Sequence, residues 1–113
     1  MNKKWIKWLE KHTIWRWNGK RFIYWHKSVD KLGFVGKDVA QPADLLGWQI
    51  AFAEECGYII NIEGISKGNY AWDLFGMNTY IITKKIYKWY PTYQEAFDAA
   101  WDKFLKLSEQ KEA

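Results

Sequence analysis

The chain has 113 residues, 49% hydrophobic and 19% aromatic, with a net charge of +4; this suits one domain, 1–113, and excludes a disordered chain. The lone Cys56 excludes an intrachain disulfide and a cysteine-based metal cluster, and with no membrane-length apolar run and no signal-peptide pattern at the start it implies a reducing, cytoplasmic setting with no membrane partner. The charge is uneven: residues 1–37 hold ten Lys/Arg against two Asp/Glu, a net of +8, and the remainder is net −4, so either an anionic partner meets the first third or the acidic helices pack beside it.

Residues 3–11 read as an amphipathic helix, with Trp5, Trp8, Leu9 and His12 at i, i+3, i+4, i+7 spacing and lysines on the other side. IWRWNGKRFIYW follows, with Asn-Gly between two aromatic and β-branched runs, a strong hairpin pattern. A two-residue turn at Asn18-Gly19 pairs Trp17 with Lys20, Trp15 with Phe22, Arg16 with Arg21 and Ile14 with Ile23. Two arginines directly opposite repel, so that register puts Arg16 and Arg21 on a solvent face or against an anion. Residues 28–37 read as a loop, with a short strand at Phe34-Val35.

PADLLGWQIAFAEEC, 42–56, reads as a helix: Pro42 suits its first position, Asp44 its first turn, and Gly57 its stop. Leu45, Leu46, Ile50, Phe52, Ala53 and Cys56 form its apolar arc. Gly47 weakens it and suggests a close neighbour. Three strands are then predicted: YIINIEGI with Tyr58, Ile60 and Ile62 on one face, YAWDLF over 70–75 after a turn at 66–69, and TYIITKKIYKWY over 79–90. Thr92 and Glu95 form a T-x-x-E capping box for a long closing helix. Its stripe is Tyr93, Ala96, Phe97, Ala100, Trp101, Phe104 and Leu105, and its SEQKEA tail is expected to fray. The expected fold class is α+β: an antiparallel sheet of about four to five strands, helices packed on one face, and a long C-terminal helix.

KWLEKH near the start and YPTYQEAFDAAWDKFLKL near the end resemble the two ends of small uncharacterised proteins of phages and mobile elements of Bacteroides-type gut bacteria. Trp8 to His12 match the opening motif, and Tyr90, Thr92, Tyr93, Glu95 and Ala96 the closing one. The chain departs from that pattern at Phe97 and Trp101, where smaller aliphatics are usual. The resemblance implies a phage or prophage setting within a bacterial host cell. It assigns no activity and no catalytic residue.

No acid, base and nucleophile set is evident, so the chain reads as non-enzymatic, without cofactor or metal. The two histidines, His12 and His26, lack a nearby acidic pair, and Cys56 reads as a small core residue. The basic aromatic third is the strongest feature. Its candidate binding residues are Arg16, Lys20, Arg21, Trp17, Trp25, Lys27, Lys4 and Lys7. Such a surface fits a protein partner in the host, since Trp and Arg dominate interface hot spots. It also fits single-stranded nucleic acid, whose phosphates track cations and whose bases stack on rings.

Overall fold

A computed structural model describes residues 2–27, 35–76 and 89–110; for residues 25–27, 35–37 and 110 it describes the backbone alone. Among the described residues, three helices and five strands make the fold α+β, as the sequence predicts. Among the described residues the strands form two antiparallel sheets, of three and two strands, each smaller than the sheet of about four to five strands expected. The chain divides into two compact units, Met1–Trp48 and Gln49–Ala113.

In the first unit, α1 (Lys3–His12) is capped by Asn2, whose Oδ1 accepts from the Trp5 N–H at 3.0 Å. Trp5 and Leu9 are fully buried on its inner face, as the helical spacing requires. The sheet follows: β1 (Arg16–Trp17), β2 (Phe22–Lys27) and β3 (Val35–Val39), with β2 central. Trp5 meets Phe22 edge-on at 6.0 Å, which seats α1 on the Phe22 face of the sheet. The sequence reads Val35 as strand but Gly36 and Lys37 as loop, because of glycine and mixed charge there. Pairing with all of Ile23 to Lys27 overrides that propensity.

The hairpin register differs from the expected one by two residues. Trp17 pairs with Phe22 and Arg16 with Ile23, so Arg16 and Arg21 are not opposite each other. The turn has slid onto Gly19-Lys20, with Gly19 at φ +99° in the first central position, where a Gly-X hairpin turn needs a positive value. Asn18 closes it: its N–H donates to the Arg21 carbonyl at 3.1 Å, and its Oδ1 accepts from the N–H groups of Lys20 and Arg21 at 2.9 Å each. The slide replaces a Trp–Lys pair by a Trp17–Phe22 edge contact at 5.0 Å and removes the Arg–Arg repulsion.

The helix α2 (Pro42–Glu55) begins where Pro42 predicts, and Asp44 reaches back so that its Oδ2 accepts from the Gln41 N–H at 2.8 Å. The unit boundary falls within α2. No heavy atom lies within 4 Å of where a Cβ on Gly47 would stand, so the close neighbour expected there is not found among the described residues.

In the second unit, β4 (Tyr58–Ser66) and β5 (Asn69–Gly76) form a hairpin whose alternation matches the predicted faces, with a bulge between Gly64 and Ser66. The ring of Tyr70 lies over Gly64, where a Cβ would stand 2.9 Å from Cε1. The last helix, α3 (Tyr93–Gln110), is capped by Thr92, whose Oγ1 accepts from the Glu95 N–H at 3.1 Å. Ala96, Phe97, Ala100, Trp101 and Phe104 are buried, as the stripe predicts, while Tyr93 is exposed. Phe104 sits among Phe52, Tyr58 and Trp101, with ring centroids 5.9, 5.4 and 5.2 Å away. The helix runs on through the tail expected to fray as far as Gln110, and Ser108 is buried. Of the strand predicted over 79–90, Tyr90 bridges to Tyr70 with N–H to O distances of 2.7 and 2.9 Å; residues 79–88 lie outside the described residues, as do 28–34 of the predicted loop.

Candidate functional site

The predicted site residues separate into three groups. The first is Arg16, whose Nη1 lies 2.8 Å from each of the carbonyl oxygens of Glu10, Thr13 and Trp15. Helix ends leave carbonyls without intrahelical donors and carry partial negative charge, so a guanidinium there is a cap. Thr13 adds to it, with both its N–H and its hydroxyl donating to the Leu9 carbonyl, at 2.9 and 2.7 Å. Arg16 thus serves the end of α1 and does not face Arg21 across the hairpin, which corrects the pairing expected from the Asn-Gly turn.

The second group is the hairpin loop and its flank. Lys20 and Arg21 are exposed at the tip, held by Asn18. Trp17 is half-buried against Phe22, and its N–H donates to the Glu10 carboxylate at 3.2 Å. Trp25 and Lys27 hold backbone positions in β2 opposite Lys37 and Val35; their side chains lie outside the description.

The third group is α1, where Lys4 and Lys7 stand exposed with Lys3 and Lys11. Lys3, Lys7 and Lys11 recur at i, i+4, i+8, a row about 12 Å long at 1.5 Å per residue. None of these three makes an ion pair among the described residues. The helix has no acidic residue in its first turn, so Lys3 and Lys4 oppose the helix dipole. Lys3–Lys7 and Lys7–Lys11 are like-charge neighbours, each unfavourable by about 0.2–0.5 kcal/mol. Glu10, the one acid of α1, has its carboxylate on the Trp17 N–H.

A ring cluster lies on another face of the same helix. Trp8 stacks on Trp5 at 6.0 Å and on His12 at 4.4 Å, and meets Trp48 edge-on at 6.1 Å. His12 Nδ1 donates to the Trp8 carbonyl at 2.8 Å, which fixes the proton on that nitrogen. Trp48 is 39% exposed. Sequence reasoning missed Trp48 as a site residue; a large ring in α2 outside the predicted apolar arc was the available signal.

Among the described residues no three His, Cys, Asp or Glu side chains group as a metal site, and no described helix is long and apolar enough to cross a membrane. No known protein family, curated protein or solved structure matches the chain.

Proposed function

We propose that the chain is a non-catalytic interaction protein of the phage or mobile-element type, whose first unit docks an acidic protein of the bacterial host. The observation that supports this reading is the unpaired lysine row of α1. A ten-residue helix that carries two like-charge pairs and sets Lys3 and Lys4 against the positive end of its dipole, with only Lys11 and His12 favouring it at the other end, gives up stability for a field. Such a field speeds encounter with an anionic surface and rejects basic ones. Partly exposed Trp8 and Trp48 in the ring cluster supply the apolar contact that makes an interface hold. The phage setting rests on the resemblance at the two ends of the chain.

The rings also favour a second reading, single-stranded nucleic acid, in which bases stack on Trp48 while lysines track phosphates. Capture from host lysate at low salt, by wild type and by the Lys3→Gln/Lys7→Gln/Lys11→Gln variant side by side, separates the two. An acidic protein that nuclease leaves bound, that salt releases and that the variant fails to hold supports the first reading. A nuclease-sensitive ligand lost in the variant supports the second. Equal retention of every ligand by both forms overturns the assignment of the site.

A further inference from the structure

The contact that ties Arg16 to the end of α1 uses a single nitrogen of its side chain. Nη1 alone stands 2.8 Å from the carbonyl oxygens of Glu10, Thr13 and Trp15. A guanidinium carries its N–H donors in one rigid plane, shared among Nε, Nη1 and Nη2. The N–H groups on Nε and Nη2 make no hydrogen bond or ion pair among the described residues. They form one straight edge of the guanidinium, and the side chain is exposed. Because carbonyl oxygens hold Nη1, that edge is oriented before anything binds. Capping alone does not require arginine. One nitrogen among carbonyl oxygens is a contact that a lysine ammonium, with its own set of N–H donors, makes as well. The acid nearest to Arg16 in the chain does not fill the edge, since the Glu10 carboxylate accepts from the Trp17 N–H at 3.2 Å.

We propose that the Nε/Nη2 edge of Arg16 is a preformed fork for a carboxylate, an Asp or Glu side chain of the acidic partner. The fork rests on the reading of the first unit as the docking surface and adds the contact that sets the register. The lysine row ends at Lys11, in the last turn of α1, and Arg16 caps that same end. The lysines are compact charges that attract an acid in many orientations. A planar fork takes two oxygens in one orientation, so it selects which acidic residue comes to rest at the end of the row. The surroundings favour carboxylate over phosphate. A carboxylate is planar and lies along the edge with both oxygens on N–H groups. A phosphate is tetrahedral and turns further oxygens out of that plane, among the carbonyl oxygens around Nη1 and toward the Glu10 carboxylate, which repel them.

NMR of the arginine side chains in the wild-type protein tests the fork. The chain has two arginines, Arg16 and Arg21, so one substitution assigns both Nε–H signals. Arg21, exposed at the hairpin tip, serves as the internal control. The probes are a hexaglutamate peptide and, for phosphate, hexathymidylate, each titrated at low salt. Hexaglutamate is expected to shift the Arg16 Nε–H signal saturably and to leave that of Arg21 nearly in place. Hexathymidylate should shift the two arginines alike. Arg16→Lys keeps the charge and removes the fork. It should weaken hexaglutamate binding by about fivefold, equivalent to about 1 kcal/mol, read from the α1 amide shifts.

Each other result overturns a stated part. Hexaglutamate that shifts the α1 amides but moves Arg16 no further than Arg21 overturns the fork and leaves the lysine row as the docking surface. So does equal binding by Arg16→Lys and wild type. A larger Arg16 shift with hexathymidylate than with hexaglutamate overturns the choice of carboxylate. With hexaglutamate, unmoved signals from both α1 and Arg16 overturn the fork and the docking reading together.

Discussion

The first and last helices handle charge in opposite ways. α3 starts with a threonine cap and Glu95 in its first turn, where the dipole favours an acid, and sets Asp102 four residues before Lys106, a favourable order. α1 starts with two lysines and repeats lysine at i+4 and i+8. Both helices bury an apolar stripe, so packing demands do not account for the difference. A helix whose exposed face suits its own stability is explained by the fold. One whose exposed face works against it is the ground on which the proposed function puts an interaction surface on α1.

If α3 is the structural member of the pair, its core substitutions should dominate stability. Phe104 is fully buried and touches Phe52, Tyr58 and Trp101 by ring contacts. Phe104→Ala should cost about 3–5 kcal/mol, read as a fall in the urea midpoint. A loss below 1 kcal/mol would show that the ring cluster contributes little and would break the comparison.

Arg16→Gln comes next and has a sign that depends on the register. With Arg16 opposite Arg21, removing the charge relieves repulsion and stabilises. With Arg16 over the carbonyls of Glu10, Thr13 and Trp15, it should destabilise by about 1 kcal/mol, since a charged cap is lost at a helix C-terminus. Chemical denaturation decides between them by sign alone. Thr92→Ala should cost a similar amount, about 1 kcal/mol, by leaving the Glu95 N–H without its acceptor. An unchanged midpoint for Thr92→Ala would mean that the cap of α3 adds nothing to its stability. Gly47→Ala should act in the other direction, adding about 0.5–1 kcal/mol, because the helix interior gains a better former and the added methyl meets nothing.

The two hairpins show why some of this was legible in the sequence and some was not. In YIINIEGI and YAWDLF one face is buried under Phe104 and its neighbours, so Tyr58, Ile60, Trp72 and Leu74 had to share it, and alternation predicted the faces of the first of these strands. At the first hairpin the turn motif alone was asked to set the register. Asn-Gly is compatible with a turn at 18–19 and at 19–20, and Asn18 selects the second by accepting two backbone N–H groups through its side chain. The role of Arg16 followed the register and was lost with it. The cap of α1 was also illegible, because it joins a helix end to a strand residue that sequence spacing does not link. Helix bounds, by contrast, were readable from local chemistry at Pro42 and Thr92. The lysines of α1 were visible as composition, but their row became specific only when Glu10 turned out to serve the Trp17 N–H.

The smallest predicted effect bears most directly on function. Lys7 sits between Lys3 and Lys11 on α1, each four residues away, so Lys7→Gln removes both like-charge pairs and should raise stability by about 0.5 kcal/mol. The matched change on α3, Lys106→Gln, removes a favourable spacing with Asp102 and should lower stability by a few tenths of a kcal/mol. The contrast in sign is the test. High salt should erase both differences, because exposed charges about 6 Å apart are screened once the Debye length falls to about 3 Å at 1 M. In the same samples Lys7→Gln should weaken capture of the acidic partner while Lys106→Gln leaves it unchanged. A Lys7→Gln variant that is no more stable than wild type at low salt would mean that the lysine row bears no cost. The argument from strain to a partner would then fail, whatever the row happens to bind.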